Sequence, residues 1–81
     1  MAPDPRTRFG LKLIEVRKNR GWSQERLALE SGLVRSYLGG VERGQRNIAL
    51  LNIFKLAESL GVEPSVLLEP PATWQNAQPD S

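Results

Sequence analysis

Residues 23–47, SQERLALESGLVRSYLGGVERGQRN, have the pattern of two short helices on either side of a tight turn. Ser23 is placed to cap the first, its hydroxyl accepting from a backbone N–H two or three residues on. Leu27, Ala28 and Ser31 form the inner side, and Gly32 stops the helix, since glycine adopts positive φ without strain. A second helix follows from about Val34 to Glu42 and ends at Gly44. Two helices that cross steeply at short range need particular residues at particular places. Ala28 is the small residue where they meet, Gly32 makes the turn, and Leu27, Leu33, Leu38 and Val41 fill the interior. One feature resists this reading. Gly39 and Gly40 stand inside the second helix, where together they cost an isolated helix roughly 2 kcal/mol relative to alanine.

The flanks extend the helical pattern in both directions. Residues 1–6 hold two prolines and no apolar periodicity, and are expected to form a flexible arm. From Thr7, taken as an N-cap, Phe9, Leu13 and Val16 recur at helical spacing with Ile14 alongside, and Gly21 ends the run. A fourth helix is expected from about Ile48 to Leu60, with Ile53, Leu56, Ala57 and Leu60 on one face, and Gly61 closes it. Glu63 to Glu69 makes a short fifth helix with Pro64 in its first turn. Residues 70–81, PPATWQNAQPDS, are expected to be a flexible tail from which Trp74 hangs free. No strand pattern occurs. The expected fold is therefore all-α, a compact five-helix domain over residues 7–69 with the helix pair at about 23–42.

Composition narrows the chemistry. The 81 residues suffice for one small domain, which gains from a partner subunit because it buries little surface alone. There is no cysteine and no histidine, so disulfides, the usual zinc ligands and the commonest acid–base catalyst are missing. No metal, cofactor, small-molecule ligand or enzymatic activity is expected. No stretch approaches the roughly 20 apolar residues that cross a bilayer, and the polar start Met1-Ala2-Pro3-Asp4-Pro5 is unlike a signal peptide. A soluble, cytoplasmic chain without membrane contact is expected. The net charge of +2 is unevenly spread: residues 1–20 hold six Lys and Arg against two Asp and Glu, residues 48–81 one against four. A basic front and an acidic rear suit a molecule that turns one face to a polyanion.

The stretch WSQERLALESGLVRSYLGGVERGQRN, within residues 7–69, resembles the lambda-repressor-like helix-turn-helix family, also called the xenobiotic-response-element family. Within that family, R-SYLGGVERGQRN is most similar to the small controller proteins of restriction–modification genes. The resemblance implies a sequence-specific transcriptional regulator that binds double-stranded DNA. Ser23 and Gln24 match the start of the second helix, where family members bind backbone phosphate; unpaired N–H groups and the helix dipole favour an anion there. Arg35, Ser36 and Tyr37 match the leading end of the recognition helix, which enters the major groove and contacts bases. Arg43, Gln45, Arg46 and Asn47 match the following loop, which contacts phosphates. Arg17 and Glu42 match a salt bridge between the first and third helices.

Three departures from the family pattern stand out. Gly39 and Gly40 leave no polar base reader in the middle of the third helix, so specificity should lean on residues 35–37 and on DNA shape. Val34 replaces the usual Ser or Thr N-cap of the third helix. Ala49 replaces a hydroxyl cap of the fourth, with Asn47 expected to substitute.

A single recognition helix covers too few base pairs to select a genomic site. Two copies related by twofold symmetry read an inverted repeat with half-sites about one helical turn apart. Leu51 and the apolar run Val66, Leu67 and Leu68 are the expected homodimer surface. A second reading is an antitoxin-type module of a toxin–antitoxin pair, for which residues 70–81 would have to hold the toxin.

Overall fold

In the computed structural model, which describes residues 4–76, six helices follow one another: α1 Pro5–Asn19, α2 Gln24–Ser31, α3 Arg35–Glu42, α4 Leu50–Leu60, α5 Pro64–Leu67 and α6 Ala72–Asn76. No strand occurs among the described residues, and the chain is all-α, with one helix more than the five expected. The outermost parts of the expected arm and tail, residues 1–3 and 77–81, lie outside the described residues.

The helix starts show which local signals acted. α1 begins two residues before Thr7, because Asp4 accepts from the Arg6 N–H at 2.9 Å and Pro5 occupies the first helical position, where a missing N–H costs nothing. The proline that suggested an arm is thus a helix-start signal, and Thr7 lies within the first turn rather than at the cap. Hydrogen bonds from the Arg6 side chain and then its backbone N–H hold the Asp4 carboxyl at about 2, below its ordinary 3.8. The cap's contribution is therefore complete above 3.8 and disappears as pH falls through about 2.

α2 begins as expected, with the Ser23 hydroxyl accepting from the Arg26 N–H at 3.0 Å, and ends at Gly32 with φ of 77°. Neither Val34 before α3 nor Ala49 before α4 supplies a side-chain cap. Asn47 does not substitute. α4 starts at Leu50, which leaves Asn47 two residues ahead of the cap position, out of step with the N–H groups of the first turn.

The tail departs further from expectation. The Ala72 N–H donates to both carboxylate oxygens of Glu15 on α1, at 3.3 and 3.2 Å, and Pro71 is buried. An acceptor on α1 thus engages the first turn of α6, and Trp74 is half-buried rather than hanging free.

Elements α1 to α5 all contribute to one core. Leu13, Leu27, Leu38, Leu56 and Leu67 are fully buried, with Phe9, Ala28, Val41, Ala57 and Leu60 around them. Each such leucine stabilises the fold by roughly 1.5–3 kcal/mol relative to leaving it exposed. α3 is the central element, resting on α1 and α2, while α2 and α5 close on α4. α1 and α3 approach closely at Gly10. A Cβ there would lie 2.6 Å from the carbonyl oxygens of both Val41 and Glu42, so backbone meets backbone with no side chain between.

Gly10→Ala is expected to destabilise the domain by ~1–3 kcal/mol through overpacking, despite the ~1 kcal/mol that alanine offers a helix. Urea unfolding measures this directly. An unchanged or higher midpoint would show that α1 and α3 can separate there without cost.

Candidate nucleic-acid interface

The helix pair is held from beneath by a buried ionic cluster. Arg17 on α1 donates through Nε to Glu42 Oε2 at 2.7 Å and through Nη2 to Oε1 at 3.0 Å, while its Nη1 donates to the Trp22 carbonyl at 2.9 Å. Both residues are buried. Gln24, the first residue of α2, completes the set by donating Nε2 to Glu42 Oε1 at 2.9 Å. One carboxylate at the end of α3 therefore ties down α1, the α1–α2 turn and α2. Among the described residues no buried side-chain nitrogen or oxygen lacks a partner. The bridge expected between Arg17 and Glu42 is present, and Gln24 is an additional member that the family match had assigned only to phosphate. Its amide faces the cluster through the bond to Glu42.

The opposite side of α3 is open. Arg35 and Ser36 at its leading end are exposed, and Arg35 Nε stands 3.9 Å from Glu25 Oε2 on α2. Tyr37 is half-buried against the core, and its hydroxyl accepts from Asn52 Nδ2 on α4 at 3.2 Å. The Tyr37 hydroxyl hydrogen is still available to a further acceptor. Beyond α3, Arg43 donates Nε to Gln45 Oε1 at 3.1 Å, and the Arg46 guanidinium lies 5.8 Å from the centre of the Tyr37 ring. Arg43, Gln45, Arg46 and Asn47 are all exposed, and Ser23 is exposed at the start of α2.

The basic front end is not the charged face that its composition suggests. Five of its six cations make intramolecular contacts: Arg6 with Asp4, Arg8 with the Leu68 carbonyl, Lys12 with Glu15, Arg17 with Glu42 and Arg20 with the Leu60 carbonyl. Arg20 also stacks on one side chain with Arg26, each 4.7 Å from the centre of the Trp22 ring. The cations that flank the open side of α3 are instead Arg35, Arg43 and Arg46.

The residues expected at a dimer surface differ in exposure. Leu67 is fully buried in the monomer core and has no area to offer a partner, because α5 closes over α4 through this residue. Val66 is half-buried, while Leu51 and Leu68 are more than half exposed. Leu50 and Phe54 are exposed too, at 69% and 51%, and sequence reading had missed them. Spacing is a clue for Phe54, which like Leu51 lies off the buried stripe of Leu56, Ala57 and Leu60, but not for Leu50, which shares the row of Ala57 seven residues on. Leu51 and Phe54 line a groove of about 390 Å³ with Ala57, Val62 and Pro64.

Comparison with known proteins agrees with this geometry. The helix-turn-helix family model HTH_3 matches residues 13–67. The chain is 56% identical over 63 residues to a hypothetical transcription factor of Neisseria meningitidis, covering 78% of this chain and 58% of the relative. It is 43% identical over 70 residues to the control protein C.BamHI of Bacillus amyloliquefaciens, covering 85% and 86%. In three dimensions it is similar to the restriction–modification controller protein C.AhdI of Aeromonas hydrophila, with a TM-score of 0.75 and 58% identity over 76% of this chain and 94% of that one. No helix among the described residues is long and apolar enough to cross a membrane.

Arg17→Ala should cost ~3–5 kcal/mol, since it leaves the Glu42 carboxylate buried without its cation. Replacing both residues by apolar ones of similar size should cost clearly less. Chemical denaturation of the two variants decides the matter, and a single variant as stable as the parent would mean that the cluster contributes nothing.

Proposed function

The chain belongs to the helix-turn-helix family, and from that premise we propose that it is a sequence-specific transcriptional regulator that binds an inverted-repeat operator as a homodimer, in the manner of a restriction–modification controller. The observation that carries this reading is the open side of α3, with Arg35 and Ser36 at its leading end and Arg43 and Arg46 just beyond it. A rigid helix that offers its first turn outward, with cations at its far end, fits a major groove between two phosphate rows.

In this reading Arg35 contacts a base. Arginine reads guanine through paired hydrogen bonds to O6 and N7, worth ~1–3 kcal/mol of discrimination. Ser36 and Tyr37 contribute beside it, Tyr37 with its ring steadied by Asn52. Ser23 and Gln24 hold phosphate through the N–H groups at the start of α2. Arg43, Gln45, Arg46 and Asn47 hold it from the following loop. The role needs no cofactor, metal, small molecule or catalytic step, and belongs in the cytoplasm with the DNA.

Dimerisation follows from the exposed face of α4. Leu51, with Leu50 and Phe54, would meet its symmetry mate, and Val66 and Leu68 would border the contact. Relatives named as control proteins and as a transcription factor support this reading over an antitoxin-type module. The tail such a module would use lies partly against α1, through Glu15.

Selection from a random DNA pool supplies the preferred site for a direct test. Arg35→Ala should lose ~1–3 kcal/mol on that site and leave binding to scrambled duplex nearly intact. Log affinity should fall linearly with log salt. An equal loss on both duplexes would make Arg35 a phosphate clamp, and a flat salt plot would remove DNA from the account. By sedimentation the parent should be dimeric at micromolar concentration and Leu51→Glu mainly monomeric; a parent that stays monomeric yet binds its site tightly would contradict the symmetric arrangement.

A further inference from the structure

We propose that Gly40 is a positioning residue for DNA binding: its missing side chain is the seat across which the Arg46 stem reaches the open side of α3. This rests on the DNA-binding reading above. Gly40 is buried although it lies on a helix of an open face, and its cover is Arg46. A Cβ at Gly40 would stand 2.8 Å from Arg46 Cγ, 3.3 Å from Nε and 3.6 Å from Cδ. The guanidinium beyond those atoms lies 5.8 Å from the Tyr37 ring, one turn nearer the leading end of α3. Arg46 therefore runs back over Gly40 toward the end of α3 proposed to enter the groove.

The loop cannot simply retreat to make room, because the Gln45 N–H donates to the Gly40 carbonyl at 2.8 Å. A methyl group at position 40 would strike the stem at Cγ, close to its root, so everything beyond must swing away. Gly39 differs. A Cβ there meets Arg43 Nη1 at 3.1 Å, the far end of a flexible chain that can give by a few tenths of an ångström, and Gln24 Oε1 at 3.4 Å, an ordinary van der Waals contact. Alanine would suit the helix better at either position. Only at Gly40 does the absent side chain set the path of a proposed phosphate ligand.

The test compares Gly39→Ala, Gly40→Ala, Arg46→Ala and the Gly40→Ala/Arg46→Ala double variant, by thermal melting and by titration with a scrambled duplex at several salt concentrations. Gly40→Ala should melt no lower than the parent yet bind several-fold more weakly, with a salt slope shallower by about one. The double variant should bind like Arg46→Ala alone, and Gly39→Ala like the parent. Parental affinity for Gly40→Ala, or losses that add in the double variant, would overturn the assignment. Should Gly40→Ala fail to fold, a double variant that folds and binds like Arg46→Ala supports the seat, whereas one that also fails to fold overturns it. Arg46→Ala with parental affinity and slope would instead refute the phosphate role of Arg46, and the inference with it. Weak binding by Arg46→Ala beside parental binding by Gly40→Ala refutes the role of Gly40 alone.

Discussion

The Glu42 carboxylate, buried at the end of α3 and bonded to both Arg17 and Gln24, governs how the three helices meet. Removing a carboxylate and a guanidinium from water is expensive, and the cost is offset only when geometry and hydrogen bonding are complete. Here they are complete, since the remaining Arg17 nitrogen reaches the Trp22 carbonyl. Apolar packing tolerates some sliding; a bidentate pair with fixed partners on three elements does not. Beside it, Gly10 brings the α1 backbone against the carbonyls of Val41 and Glu42, so the last turn of α3 is fixed by charge and by steric contact at once.

That anchorage leaves α3 with two unlike ends. Its last turn is buried and paired, while its first turn, from Arg35, is exposed and lacks a side-chain cap. A reading helix benefits from this division, because the exposed end is held at a defined angle without being covered by the contacts that hold it. Tyr37 lies between the two regimes, its ring against the core and its hydroxyl joined to Asn52 on α4. The same bond places a residue of α3 next to the helix whose other face carries Leu50, Leu51 and Phe54.

Net charge is a poor guide to where the cations of this chain act. Most of those in and just after α1 neutralise a carboxylate or close a helix end, such as Arg20 on the Leu60 carbonyl. Three arginines at and after α3 supply the field on the open side, and two of them lie over glycines. The helix-propensity cost of Gly39 and Gly40 is thereby linked to side-chain routing. Arg43 and Gln24 approach one position closely, and Arg46 crosses the other.

Local signals in the chain determined the helix pair, its core and its turn. Ser23 and Gly32 act on backbone groups within a few residues of themselves, and the i, i+3 spacing of Leu38 and Val41 declares their shared face on α3 before any partner is known. The resemblance to a known family supplied the Arg17–Glu42 bridge, which no local rule contains. What only the tertiary structure decided depends on residues far apart in sequence. Leu67 became core because α5 folds onto α4, and the start of α6 met α1 because Glu15 accepts from Ala72. Gly10 acquired its role from backbone atoms more than thirty residues away, and Gly40 from the stem of Arg46. A missing Cβ has no periodicity and no charge, so its meaning exists only once the chain has folded back to meet it.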